Sequence, residues 1–137
     1  MSILDKIVAN TKAGLIQKKV ELSLEQIKSS LEDLELPRGR FKDNISNKDE
    51  AIIAEIKKAS PSAGVIVDAF DPVTKAIDYE AFGASALSIL TEEDFFMGSV
   101  DYLKDVKKVT ALPILRKDFM IDEYQLYESK LIGADCI

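Results

Sequence analysis

The chain contains no histidine and a single cysteine, Cys136. Without histidine, a Ser-His-Asp triad, a Cys-His pair and the imidazole-based metal sites are all excluded. Acid-base work then falls to Lys, Glu, Asp, Tyr or Cys136. One cysteine forms no internal disulfide, so nothing asks for an oxidising compartment and the cytoplasm is the expected location. Cys136 has no activating neighbour in the sequence and is expected to be a small core residue. Long apolar runs are also absent: Ala51–Ala54 and Ala86–Leu90 fall far short of the ~20 residues that cross a bilayer. Ile3, Leu4, Ile7 and Val8, interrupted by Asp5, read as a packing helix and not as a signal-peptide core. The formal charge of −6 argues against the basic stripe that nucleic-acid binders carry. Neither nucleic acid nor membrane is an expected partner, and an anionic small molecule would need locally placed lysines.

What remains is an ordinary globular mixture, 47% hydrophobic and 31% charged over 137 residues, enough for one domain. Met1–Lys19 and Ser23–Leu34 predict two amphipathic helices, with Ser23 capping the second. Leu36-Pro37-Arg38-Gly39-Arg40 holds turn residues, and the polar stretch Asp43–Glu50 predicts a loop. Beyond it, the apolar runs Ala51–Ile56, Ala86–Leu90 and Leu112–Leu115 alternate with helix-like segments at Pro72–Phe82, Ser99–Lys108 and Glu123–Ile132. Strands alternating with helices imply a parallel sheet with crossover helices. Phe82-Gly83-Ala84-Ser85-Ala86-Leu87 is nearly repeated by Ile132-Gly133-Ala134-Asp135-Cys136-Ile137, each copy a glycine that ends a helix before a strand begins.

The expected fold is therefore α/β, of the (β/α)8 TIM-barrel type, which takes about 250 residues when closed. This chain accounts for about its first half. A helical extension over 1–36 precedes the first βα units over 51–137, which comprise three units and the start of a fourth strand. The extension is expected to pack as helices across the barrel. The interior is expected to take Ile53, Leu87, Ile89 and Ile114 or their immediate neighbours, with a one-residue slip as the main risk. Free strand edges would pair with another copy or with the complementary half.

Chemistry concentrates in three stretches. In Ile53-Ala54-Glu55-Ile56-Lys57-Lys58-Ala59-Ser60-Pro61-Ser62-Ala63-Gly64, Glu55 and Lys57 lie two apart in a strand and share a face opposite Ala54 and Ile56. A charged pair pointing into a barrel mouth is costly to bury without a task, although a plain salt bridge on an edge strand has the same spacing. The Ser-Pro-Ser-Ala-Gly loop that follows suits a phosphate or carboxylate, without matching the P-loop or dinucleotide patterns. In Leu112-Pro113-Ile114-Leu115-Arg116-Lys117-Asp118-Phe119, an apolar strand runs into Lys117, at the rim where barrel enzymes keep catalytic groups. In Leu90-Thr91-Glu92-Glu93-Asp94-Phe95-Phe96-Met97-Gly98-Ser99, the acidic run reads as a solvated loop. Phe96 and Phe119 can be core residues or can wall a flat aromatic ligand.

In order and spacing these stretches resemble indole-3-glycerol-phosphate synthase: Ala54-Glu55-Ile56-Lys57-Lys58-Ala59-Ser60-Pro61-Ser62, then Ser88-Ile89-Leu90-Thr91-Glu92 to Gly98, then Pro113-Ile114-Leu115-Arg116-Lys117-Asp118-Phe119. The resemblance runs the length of the chain and covers about the first half of the family's barrel. It implies a carboxy-lyase of tryptophan biosynthesis. The substrate, 1-(o-carboxyphenylamino)-1-deoxyribulose 5-phosphate, is closed to indole-3-glycerol phosphate with loss of carbon dioxide and water, without metal or organic cofactor. By resemblance Lys117 is the general acid on the ribulose carbonyl. Lys57 holds the anionic substrate and assists dehydration, with Glu55 hydrogen-bonded beside it. Ser60 lies near the phosphate, and Phe96 and Phe119 line the aromatic pocket. A second glutamate, an asparagine and the later phosphate loops of the family have no counterpart here, so the chain alone is expected to be inactive. Two other readings stand beside this one. Lys117 of a sugar-phosphate barrel enzyme can form a Schiff base, and a half-barrel without catalysis can associate through its exposed strands.

Overall fold

The computed structural model describes residues 1–137. Three helices come first, α1 (Ile3–Glu21), α2 (Leu24–Glu32) and α3 (Arg40–Ser46). The strand β1 (Ile53–Ile56) follows, then a short hairpin of β2 (Ala59–Ser60) and β3 (Gly64–Val65). The rest alternates as α4 (Pro72–Ala81), β4 (Ala86–Leu90), α5 (Val100–Lys107), β5 (Ile114–Lys117) and α6 (Glu123–Leu131). The sheet is parallel with order β1-β4-β5, as strand-helix alternation demands, since parallel neighbours need a crossover. No helix is long and apolar enough to cross a membrane.

The first helices begin where their caps place them. Ser2 Oγ accepts from the Asp5 N–H at 3.1 Å while Asp5 accepts from the Ser2 N–H at 2.8 Å. Ser23 and Gln26 repeat this reciprocal capping box at the start of α2. Both helices then pack on α6: Leu15, Ile27 and Tyr124 form a small core of their own. The Tyr124 hydroxyl donates to the carbonyls of Leu22 at 2.9 Å and Lys18 at 3.3 Å. Lys18 and Lys19 of α1 pair with Glu128 and Asp122 at 3.1 and 2.8 Å.

Residues expected as loop from Asp43 are helical as far as Ser46. The pattern hides this helix because it starts from Gly39, in the left-handed region at φ 74°, with no side-chain cap. What holds it is tertiary: Phe41 is buried, and the Asn44 amide donates to the Ser85 carbonyl. Arg40 reaches Asp135 at 2.9 Å.

The two near-repeats of sequence are repeats of backbone geometry. Gly83 and Gly133 have φ of 94° and 92°, conformations that cost an L side chain energy. Each closes a helix with the same pair of bonds. Ala84 N–H donates to Tyr79 O and Gly83 N–H to Glu80 O, at 2.9 and 3.2 Å, while Ala134 N–H donates to Ser129 O and Gly133 N–H to Lys130 O, at 3.0 and 3.1 Å. The chain then enters the sheet. Ser85 N–H donates to Ile52 O and Asp135 N–H to Ile114 O, both at 2.8 Å, and Cys136 bridges Leu115 in parallel. Cys136 itself is only half-buried, so its reading as a core residue is corrected: its backbone, more than its side chain, is what the sheet uses.

The interior expected from sequence is corrected at three positions. Leu87, Ile89 and Ile114 are fully buried, but in one cluster with Ala54, Ile56, Ala76 of α4 and Leu103 and Val106 of α5. They therefore point outward under the helices. The register pairs Ala54 with Leu87, Ile56 with Ile89 and Leu87 with Ile114, so the other parity, Ile53, Glu55, Ser88 and Leu115, faces the concave side. The slip has a physical cause: β4 is buried on both faces, and a strand of that kind carries no alternation to read. Ile114→Ala should cost about 2–5 kcal/mol, the usual range for emptying a packed site. Leu115→Ala, on the concave side, should cost clearly less. Urea unfolding of the two variants checks the parity, and a larger loss at Leu115 would reverse it.

Candidate active site

Parity and register together bring Glu55, Lys57 and Lys117 to one point. Glu55 pairs with Ser88, and Leu90 with Lys117, so all three charged side chains rise from the carboxyl ends of β1 and β5 on the concave side. Glu55 bridges the two lysines, with Lys117 Nζ 2.7 Å from Oε1 and Lys57 Nζ 3.1 Å from Oε2. Tyr79 of α4 donates to the Glu55 carbonyl at 3.2 Å and fixes the strand beneath it. The cluster is open: the side chains of Glu55, Lys57 and Lys117 are 30%, 31% and 54% exposed. Ion pairs so exposed contribute at most about 1 kcal/mol. Stability therefore does not account for the convergence, whereas two ammonium groups held at a rim suit an anionic substrate and proton donation to a developing oxyanion.

The aromatic candidates also meet. Phe96, in the loop after β4, and Phe119, two residues beyond Lys117, lie with ring centroids 5.9 Å apart at 44°. Ser60 does not join either group. It sits in the β2–β3 hairpin, where its hydroxyl accepts from the Ala63 N–H at 3.1 Å and lies 3.4 Å from the Ser62 hydroxyl. These bonds shape the turn. Cys136 takes no part, its thiol pushed up by burial and then by the Asp135 charge.

Two residues escaped the reading of the sequence. Glu92, assigned to a solvated acidic loop, is buried at 5% exposure and accepts from three successive backbone N–H groups, of Asp94, Phe95 and Phe96. An acidic run gives no hint of this, because only the fold decides which of its carboxylates turns inward. Arg116 is buried under the helices, bonded to Glu128 at 2.6 Å, Thr91 at 2.9 Å and Ser129 at 3.1 Å, with Asp118 at 3.5 Å. Its parity with Ile114 was the available signal.

With this geometry in place, comparison with known proteins is informative. The family model described as indole-3-glycerol phosphate synthase matches residues 4–137. The protein of that name from Clostridium acetobutylicum is 53% identical over 135 residues, covering 98% of this chain and 52% of its own length. Those from Ruminiclostridium cellulolyticum and Alkaliphilus metalliredigens are 50% and 46% identical, each again over 98% of this chain and 52% of the relative. The chain thus spans about half the length of the relatives it matches.

Burial alone would raise the Glu55 carboxyl. The hydrogen bonds and charges of Lys117 and Lys57 outweigh it and hold the group below its ordinary value of 4.5. A carboxyl depressed in the folded state binds its proton more weakly there than in the unfolded chain, so its contribution to stability is complete above the unfolded value and is lost as pH falls through the folded one. The difference in unfolding free energy between the native chain and Glu55→Gln should therefore narrow as pH drops below about 4.5. Urea unfolding across pH 3 to 7 measures it. A gap independent of pH would show that the lysines do not engage the carboxylate.

Proposed function

This chain belongs to the indole-3-glycerol phosphate synthase family, whose fold is a TIM barrel, and from that premise we propose that it supplies the first-half residues of the ring-closing site. The proposed reaction is the carboxy-lyase step on 1-(o-carboxyphenylamino)-1-deoxyribulose 5-phosphate, which forms indole-3-glycerol phosphate. The observation that carries the reading is the single carboxylate of Glu55 joined to both Lys57 and Lys117 at the strand ends. The 1–36 segment is read as the helical extension of the same barrel domain, and 51–137 as its first βα units.

In the proposed chemistry the ring carbon bearing the carboxylate attacks the ribulose carbonyl. A carbon–carbon bond forms, the carbonyl π pair moves to oxygen, and Lys117 delivers a proton there as the charge develops. Loss of carbon dioxide returns the bond pair to the ring and restores its aromaticity. The new hydroxyl then leaves as water with a proton from Lys57, and the neighbouring C–H or N–H proton is released as the indole double bond forms. Glu55 orients both ammonium groups. Phe96 and Phe119 stack on the flat ring, and Ser60, with the hairpin N–H groups, takes the phosphate. No step calls for a metal or organic cofactor. The cytoplasm is the proposed location, and the free sheet edges are the proposed surface for pairing with further strands or with a second copy.

The roles separate in kinetics, measured in a polypeptide of the relatives' full length that contains this chain. Lys117→Met should cut kcat by about 10²–10⁴-fold, the range for losing a positioned general acid, with little change in KM. Lys57→Met should raise KM as well, because ground-state contact with the substrate anion is lost. Near-normal kcat for Lys117→Met would reduce Lys117 to a solvated strand-end residue. Borohydride trapping of substrate on Lys117 would favour the Schiff-base reading instead.

A further inference from the structure

We propose that Glu92 is a positioning residue for the aromatic side of the site: it sets the backbone that presents Phe96 to Phe119. The inference rests on the functional reading above and adds a residue that acts through another.

The loop after β4 turns sharply and returns on itself. Met97 sits in the left-handed region at φ 53°, where a side chain with a Cβ is uncommon. The backbone of Gly98 then passes so close to the strand end that an added Cβ would collide with the carbonyl groups of Leu90 and Glu92. Such a path needs something to hold it, and Glu92 holds it twice. Its main-chain carbonyl accepts from the Gly98 N–H at 2.7 Å. Its carboxylate accepts from Asp94 N–H at 3.0 Å through Oε1, and from Phe95 and Phe96 N–H at 2.8 and 2.9 Å through Oε2.

Those three bonds fix the direction in which Cα–Cβ of Phe96 leaves the chain, and the ring follows to stand 5.9 Å from Phe119. Both oxygens of Glu92 are engaged by backbone amides and neither pairs with a lysine, which separates it from Glu55. The loop is anchored at its flanks as well. Thr91 N–H donates to the Lys117 carbonyl at 3.0 Å, Thr91 Oγ1 donates to Asp118 at 2.5 Å, and the Asn10 amide of α1 donates to the Asp94 carboxylate. Only the Glu92 carboxylate reaches the amide of Phe96.

The test combines exchange and kinetics. In the chain itself, Glu92→Ala should speed amide hydrogen exchange at Asp94, Phe95 and Phe96 without changing it in β1 or β5. Glu92→Gln, which keeps one acceptor oxygen, should fall between the two and serves alone if Glu92→Ala does not fold. In a polypeptide of the relatives' full length containing this chain, Glu92→Ala should raise KM for the carboxyphenylamino-deoxyribulose phosphate by about tenfold while kcat stays within about threefold, with Glu92→Gln partly restoring KM. Native exchange rates in both variants, a KM that does not respond, or a fall in kcat alone would overturn the proposal. If the polypeptide with native Glu92 shows no turnover, the functional reading fails. Exchange at the three amides then decides the positioning claim separately, native protection in Glu92→Gln rejecting it.

Discussion

Residue Leu90 of β4 lies opposite Lys117 of β5, and Glu55 of β1 lies opposite Ser88. That parallel register is the constraint on which the rest depends. With a period of two along each strand, it sends Ala54, Ile56, Leu87, Ile89, Ile114 and Arg116 under the helices. The same step leaves Glu55, Lys57 and Lys117 on the concave side. A slip of one residue in β1 or β5 would drive Glu55 or Lys117 beneath the helices, a slip in β4 would turn Ser88 there, and either would break the cluster. The core under the helices therefore does more than stabilise the sheet: burying Leu87, Ile89 and Ile114 is what fixes the angle at which the lysines leave it.

How far this was legible in the sequence follows from the same rule. In β1, charged residues occupy one parity and Ala54 and Ile56 the other, so the facing of Glu55 and Lys57 could be read directly. In β4 every residue is buried and no alternation survives, which is why its interior face was assigned one residue out. The helix ends at Gly83 and Gly133 were legible because a left-handed residue after a helix strongly favours glycine. The helix from Arg40 was not, since its support comes from Asn44 on Ser85 and Arg40 on Asp135, contacts made over distances in sequence that no local pattern records. The β2–β3 hairpin, two residues on each side, is too short to carry a period at all. Pairing of Glu55 with Lys57 was implied by the resemblance and the nearness of Lys117 by strand-end position, whereas the sharing of one carboxylate by both lysines and the inward turn of Glu92 were implied by neither.

The N-terminal helices are tied to the site by charge as well as by packing. Lys18 of α1 pairs with Glu128 of α6, and Glu128 pairs with Arg116 of β5 at 2.6 Å. Arg116 in turn bonds Thr91 at the end of β4, whose hydroxyl donates to Asp118. The chain of contacts runs from the extension to both strand ends flanking the aromatic pair. Each link is local and paired, so the buried guanidinium has the partners that a desolvated charge requires, and the ends of β4 and β5 are held together by more than their backbone ladder.

Arg116 and Lys117 make the final point by contrast, as adjacent cations on opposite faces of one strand. Arg116 is buried and its donors are shared among Glu128, Thr91, Ser129 and Asp118. Removing it would take from Glu128 and Asp118 the guanidinium they share and leave Thr91 and Ser129 without their donor, so its place is explained by the fold. Lys117 is more than half exposed and has one partner, Glu55, which it shares with Lys57. In solvent that pairing adds little to stability, and a solvated lysine at the same position would cost the fold nothing. Two lysines drawn to one carboxylate also repel one another, an arrangement with no structural return. On the proposed reading an anionic substrate gives it one, supplying the anion that the second ammonium lacks and leaving Lys117 to direct its proton at the oxygen where charge develops.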